Sequence, residues 1–124
     1  MRILVVDDNV DAANLTAKML ELNGFEASAT SYPWQAVELV RDRDYDLVVL
    51  DYRMPAMNGV AAFQKMREYK PDIKGILLTG FPTIDVVFPA MQEEGILHVV
   101  SKPADMETLV STIKEVESEI FACS

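Results

Sequence analysis

Four short apolar or β-branched runs, Ile3 to Val6, Leu47 to Leu50, Gly75 to Thr79 and Val99 to Ser101, recur along the chain, and the weaker Ala27 to Ser31 makes a fifth. Stretches with helical spacing separate them, and this alternation constrains the fold more than any other feature. The runs are continuous instead of alternating apolar with polar, which suits strands buried on both faces of a parallel sheet.

Val10, Ala13, Ala17, Leu20 and Gly24 follow the steps of one helix face, with Gly24 placed as a C-terminal stop. Pro33 at a helix start, followed by Ala36, Val37 and Val40, predicts a second helix; Val60, Phe63 and Met66, ending before Pro71, predict a third. Met106, Leu109, Val110, Ile113, Val116 and Ile120 predict the last and longest, with Glu107, Lys114, Glu115, Glu117 and Glu119 on its other side. The segment 84–94 contains Pro89, which an interior turn tolerates poorly. With Asp85 as N-cap, Pro89 falls at N4, and a short helix from about Val86 to Glu94 is allowed. Val86, Val87, Ala90 and Met91 then face the core, and Ile84 and Phe88 stack on another side. Five strands each followed by a helix imply an α/β fold: one parallel sheet with helices on both faces.

A chain of 124 residues predicts a single domain over 1–124. Half of it is apolar and a quarter charged, the balance of a folded globule. Lys plus Arg number 11 against 20 for Asp plus Glu, a formal charge of −9, so direct nucleic-acid binding is not expected. There is no run of about 18 apolar residues and no signal-peptide pattern, which predicts a cytoplasmic chain with no membrane role. The sole cysteine, Cys123, reads as a free thiol at the terminus.

In parallel sheets of this kind ligands bind at the carboxyl ends of the strands. The polar residues there are Asp7 and Asp8, Asp51, Thr79 and Lys102. Two carboxylates about 4 Å apart repel by ~4 kcal/mol at an effective dielectric near 20, so three together call for a cation. Oxygen donors without His or Cys point to Mg²⁺, which keeps positions for water and phosphate oxygens. Acidic residues at strand ends also serve as helix N-caps, a role open to Asp7, Asp8 or Asn9.

Val5-Val6-Asp7-Asp8-Asn9, then Asp51-Tyr52-Arg53-Met54-Pro55-Ala56-Met57-Asn58-Gly59, Leu78-Thr79-Gly80 and Ser101-Lys102-Pro103 together resemble the receiver domain of two-component response regulators. The likeness runs from Arg2 to the final helix. It implies a flavodoxin-like (βα)5 sandwich with strand order 2-1-3-4-5, the order that a chemotaxis member of this family is the standard example of. It implies further that Asp51 accepts a phosphoryl group from a sensor histidine kinase or phosphotransfer protein. Asp8 and Asp51 would then hold Mg²⁺ directly, Asp7 through water, and Arg53 through its backbone carbonyl. Lys102 and Thr79 would contact the phosphoryl oxygens, and Pro103 would be a cis proline. Such a domain is a signalling phosphoacceptor with weak self-phosphorylating and self-dephosphorylating activity, and signals by protein binding or phosphorelay.

Val99 stands where similar proteins often carry an aromatic switch residue, Gly80 where they often carry Ala, and Ala104 where Phe is common. The apolar character of the 84–94 segment, with Ile84 and Phe88, suggests a partner or homodimer surface; the alternative is an irregular segment with Phe88 folded back onto the core. His98 reads as exposed or hydrogen-bonded, Met19, Met66, Met91 and Met106 as core gap-fillers, and Tyr32 and Trp34 as partly exposed packing residues. Alternative readings are a receiver fragment of a larger regulator or hybrid kinase, and a phosphate-independent binding module. A phosphatase on the same architecture would want a DxDxT motif, but Asp51 is followed by Tyr-Arg-Met; the colour of the protein would reveal a flavin.

Overall fold

The computed structural model describes residues 1–54, 57–80, 83–102 and 105–121, with Val86 described by its backbone alone. Expectations for Pro55, Pro103, Ala104, Cys123 and the side chain of Val86 lie outside the described residues. The elements alternate without exception: β1 (Arg2–Val6), α1 (Val10–Leu22), β2 (Glu26–Thr30), α2 (Pro33–Asp42), β3 (Leu47–Asp51), α3 (Gly59–Tyr69), β4 (Lys74–Thr79), α4 (Ile84–Gln92), β5 (Ile96–Ser101) and α5 (Met106–Phe121). The strands form one parallel sheet in the order β2-β1-β3-β4-β5.

Alternation along the central strands sorts their side chains into two cores. Leu4, Val6, Val48, Leu50 and Leu77 pack with Ala36, Val37 and Val40 of α2, Ala62, Phe63 and Met66 of α3, and Ala90 of α4. Ile3, Val5, Leu47, Val49, Ile76 and Leu78 pack on the other face with Ala13, Ala17 and Leu20 of α1 and Leu109, Val110, Ile113 and Val116 of α5. Burial on both faces is why β1, β3 and β4 read as unbroken apolar runs. The weaker β2 lies at one edge, half-buried.

Local chemistry sets the helix ends. Asn9 caps α1 by accepting from the backbone N–H of Ala12 at 3.0 Å, Asn58 caps α3 through Ala61 at 2.8 Å, and the Asp105 carboxylate accepts from the N–H of Thr108 at 2.7 Å ahead of α5. Gly24 follows α1 with φ +93°, where a side chain would be strained. The Phe63 ring lies so close to Gly75 that a Cβ there would come within 2.8 Å of it. The register between β4 and β5 shifts beside the same glycine, setting Ile96 opposite Gly75 and His98 opposite Ile76.

Three expectations need correction. The fourth helix begins two residues earlier than the spacing predicts, with Thr83 as N-cap and Asp85 inside the first turn. Pro89 is therefore the sixth helical residue, not the fourth, and removes a hydrogen bond that the Asp85 carbonyl would otherwise accept. Met91 does not face the core: it is half-exposed, while Ala90 is fully buried and Val87 intermediate. Ile84 and Phe88 are exposed as expected. The last strand begins at Ile96, three residues ahead of the apolar run that predicts it.

Candidate functional site

Parallel strands end on the same edge of the sheet, so the residue after each run is delivered to one place. Asp7 follows β1, Asp51 closes β3, Thr79 closes β4 opposite Ser101, and Lys102 follows β5. Carboxylate oxygens of Asp7, Asp8 and Asp51 all lie within 4.8 Å of one another. Asp7, Asp51 and Thr79 are buried and Asp8 is exposed, which gives the cluster an open side.

Backbone contacts fix this arrangement. One oxygen of Asp7, Oδ1, accepts from the backbone N–H of Asn9 at 3.0 Å, and the other, Oδ2, lies 3.4 Å from Lys102 Nζ. The same ammonium stands 3.3 Å from Asp51 Oδ2. Lys102 is itself held by its N–H, which donates to the Thr79 carbonyl at 2.7 Å. After β3 the N–H of Tyr52 donates to Leu78, and the Tyr52 carbonyl accepts from Gly59, both at 2.8 Å. A Cβ on Gly59 would come within 2.7 Å of the Asp51 carbonyl oxygen and of Leu77 Cδ1, so only glycine lets α3 start this close beneath Asp51. Arg53 lines a cleft of about 410 Å³ with Asp8, Tyr52, Met54 and Asn58 on the open side.

Three carboxylates cluster here, and the Lys102 ammonium reaches two of them, Asp7 and Asp51. Burial pushes the Asp51 carboxyl above the ordinary aspartate range, Asp7 and Asp8 add to the rise, and Lys102 only partly offsets it. Burial alone would lower the Lys102 ammonium, but Asp51 and Asp7 outweigh it and hold the group above the usual lysine range, charged at neutral pH. An all-oxygen donor set with an open side fits a hard divalent cation of the Mg²⁺ type.

Asp7, Asp8, Asp51 and Lys102 thus come together as the sequence predicts, with Thr79 at the neighbouring strand end. The N-cap role open to three residues falls to Asn9 alone. Two contributors escaped the sequence reading. The Asn9 amide on Asp7 is a backbone contact with no residue signature; the close approach at Gly59 was signalled only by a glycine at a helix start. Val99 is partly buried against the α2, α3 and α4 core.

Comparison with known proteins agrees with this geometry. Residues 3–114 match the family model of the response regulator receiver domain. The transcriptional regulatory protein ZraR of Klebsiella oxytoca is 30% identical over 113 residues, which cover 91% of this chain and 25% of ZraR. The chain thus spans about a quarter of the length of the curated relatives it matches. The structure of response regulator protein TrrA from Thermotoga maritima in complex with Mg(2+)-BeF superposes with a TM-score of 0.80 at 29% identity, covering 93% of this chain and 97% of that one. The beryllofluoride-activated NtrC4 receiver domain dimer gives 0.85 at 27% identity, covering 95% and 97%. By sequence, fold and the convergence of its strand-end residues, this chain belongs to the response regulator receiver domain family.

Proposed function

We propose that Asp51 is a phosphoacceptor: its carboxylate attacks the phosphorus of a phosphohistidine on a sensor kinase or phosphotransfer protein. A P–O bond forms as the P–N bond breaks, and the leaving imidazole takes the electron pair and a proton from solvent, leaving an aspartyl phosphate. The observation that carries this reading is the buried Asp51 carboxylate within reach of two other carboxylates and one ammonium.

Asp8 and Asp51 are the direct ligands we assign to Mg²⁺, with Asp7 acting through water and Arg53 through its backbone carbonyl. Bound there, the ion would neutralise charge on the transferring group. Lys102, already aimed between Asp7 and Asp51, pairs with phosphoryl oxygens as they arrive, and Thr79 donates a hydrogen bond to one of them. Asp51 must be ionised to attack.

The phosphorylated domain signals by binding another protein or by passing the phosphoryl group on, in a cytoplasmic setting. Exposure of Ile84 and Phe88 beside a cleft of about 430 Å³ that they line with Asp85 and Pro89 favours the 84–94 segment as the output or homodimer surface. That the similar NtrC4 receiver is described as a dimer supports the second version. Sedimentation across a concentration series, with Phe88→Ser as control, separates them: the dimer version predicts a mass that rises with concentration in wild type and not in the variant.

Intact mass after incubation with acetyl phosphate tests the chemistry. One added phosphoryl group that requires both Mg²⁺ and Asp51 is the expected result. Equal addition to Asp51→Asn, or addition without Mg²⁺, contradicts it.

A further inference from the structure

We propose that His98 and Glu115 form a proton-gated clasp between the edge strand β5 and α5, open when the imidazole is neutral and closed when it is protonated. His98 is the only histidine in the chain and plays no part in the strand-end site. Its ring is about one-third exposed, yet Nε2 is buried and makes no hydrogen bond among the described residues. Glu115 Oε2 faces that nitrogen at 3.9 Å, too far for a hydrogen bond.

Neither neutral tautomer suits this position. A bare Nε2 presents a lone pair to a carboxylate, and a protonated Nε2 in a neutral ring donates to nothing at that distance. With both ring nitrogens protonated, the same pair becomes a charged donor facing a charged acceptor. Closing the remaining gap of about 1 Å to ordinary charge-assisted hydrogen-bond length needs only a rotation of the Glu115 side chain, which is mostly exposed and free of core packing.

Among the described residues the surroundings leave Glu115 as the partner. On α5, Lys114 adjoins Glu115 in sequence and Glu119 lies one turn further on; on β4, Ile76 is the residue in register with His98, and Lys74 stands two residues before it. The charged groups of α4 and of the turn after it, Asp85, Glu93 and Glu94, belong to the opposite face, where Gln64 and Arg67 engage Glu93, and Arg67 also reaches Glu94. β5 is also the strand whose end carries Lys102. A closed clasp ties the strand that positions the site's ammonium to the acidic helix, and removes one anion from that helix's exposed face.

The experiment compares thermal unfolding midpoints of wild type, Glu115→Gln, His98→Gln and the double variant at pH 5.5 and 8.0. Glu115→Gln is expected to lower the midpoint relative to wild type by about 2–4 °C at pH 5.5 and by less than about 1 °C at pH 8.0. In the His98→Gln background the effect of Glu115→Gln should be the same at both pH values. Equal effects at the two pH values in the native background, or no effect at either, overturn the proposal. So does a pH dependence that survives the loss of His98. Proton NMR of the single histidine gives an independent reading: a nuclear Overhauser contact between the ring and the Glu115 side chain should strengthen on acidification, and a contact unchanged between pH 8.0 and 5.5 contradicts the clasp.

Discussion

Leu50 and Asp51 are neighbours on one strand and are built on opposite principles. Leu50, with Val48, Val49 and Leu47, is fully enclosed by apolar side chains, where every buried methylene favours the folded chain. Asp51, one residue on, is nearly as buried at 7% exposure, but it is a carboxylate facing two others and a shared ammonium. The middle of the sheet holds the molecule together; its carboxyl rim carries charge that works against folding and that a bound cation would offset. Stabilising apolar packing and electrostatic cost are thus separated by a single peptide bond.

The contrast can be broken at its strongest point by Phe63→Ala. This ring is fully buried and abuts Gly75 and Gly95, so its loss should destabilise by about 3–5 kcal/mol in denaturant unfolding. The fraction that remains folded should still take up a phosphoryl group in a Mg²⁺-dependent way. Lys102→Gln acts on the rim: it leaves Asp7 and Asp51 facing each other with no ammonium between them. Because Lys102 is one-third exposed and solvent screens part of the pair, a loss of about 1–2 kcal/mol is expected, with added Mg²⁺ restoring some of it.

Asp51→Asn should do the reverse and stabilise the metal-free chain by about 1 kcal/mol at neutral pH while abolishing phosphoryl acceptance. Folding raises the pKa of Asp51, so this carboxyl favours the folded chain fully below its ordinary value and loses that contribution as pH rises through the raised one. The stability gap between variant and wild type should therefore widen from about pH 4 to pH 7 in a series of unfolding curves. Asp105 provides the mild opposite case. Its carboxyl is held below the ordinary range by the Thr108 N–H at the start of α5, so its contribution is present above the ordinary value and fades as pH falls through the lowered one. Asp105→Ala should lower the unfolding midpoint slightly at neutral pH, and the difference should vanish in acid.

Where one physical rule acts alone, the sequence was legible. Two-sided burial makes continuous apolar runs, and these marked β1, β3 and β4; parallel delivery to one edge then placed Asp7, Asp51, Thr79 and Lys102 together. Where rules compete it was less so. The strand β5 carries His98 among its apolar residues and slips register beside Gly75, which obscured its first three residues. In α4, the requirement that Pro89 sit near the helix start argued for Asp85 as cap, but the helix begins at Ile84, with the Val87 N–H donating to the Thr83 carbonyl, and accepts a lost hydrogen bond at Pro89. Contacts made by backbone, such as the Asn9 amide on Asp7, leave no signature in residue type at all.

The separation of a stabilising core from a rim under electrostatic strain is tested most directly by thermal unfolding of wild type and Asp51→Asn, each with and without Mg²⁺. The variant should melt above wild type in the absence of the ion, and Mg²⁺ should raise wild type by more than it raises the variant. A variant that melts below wild type without the ion, together with a wild type indifferent to Mg²⁺, would show that the Asp51 carboxylate is a structural group and that the rim carries no such strain.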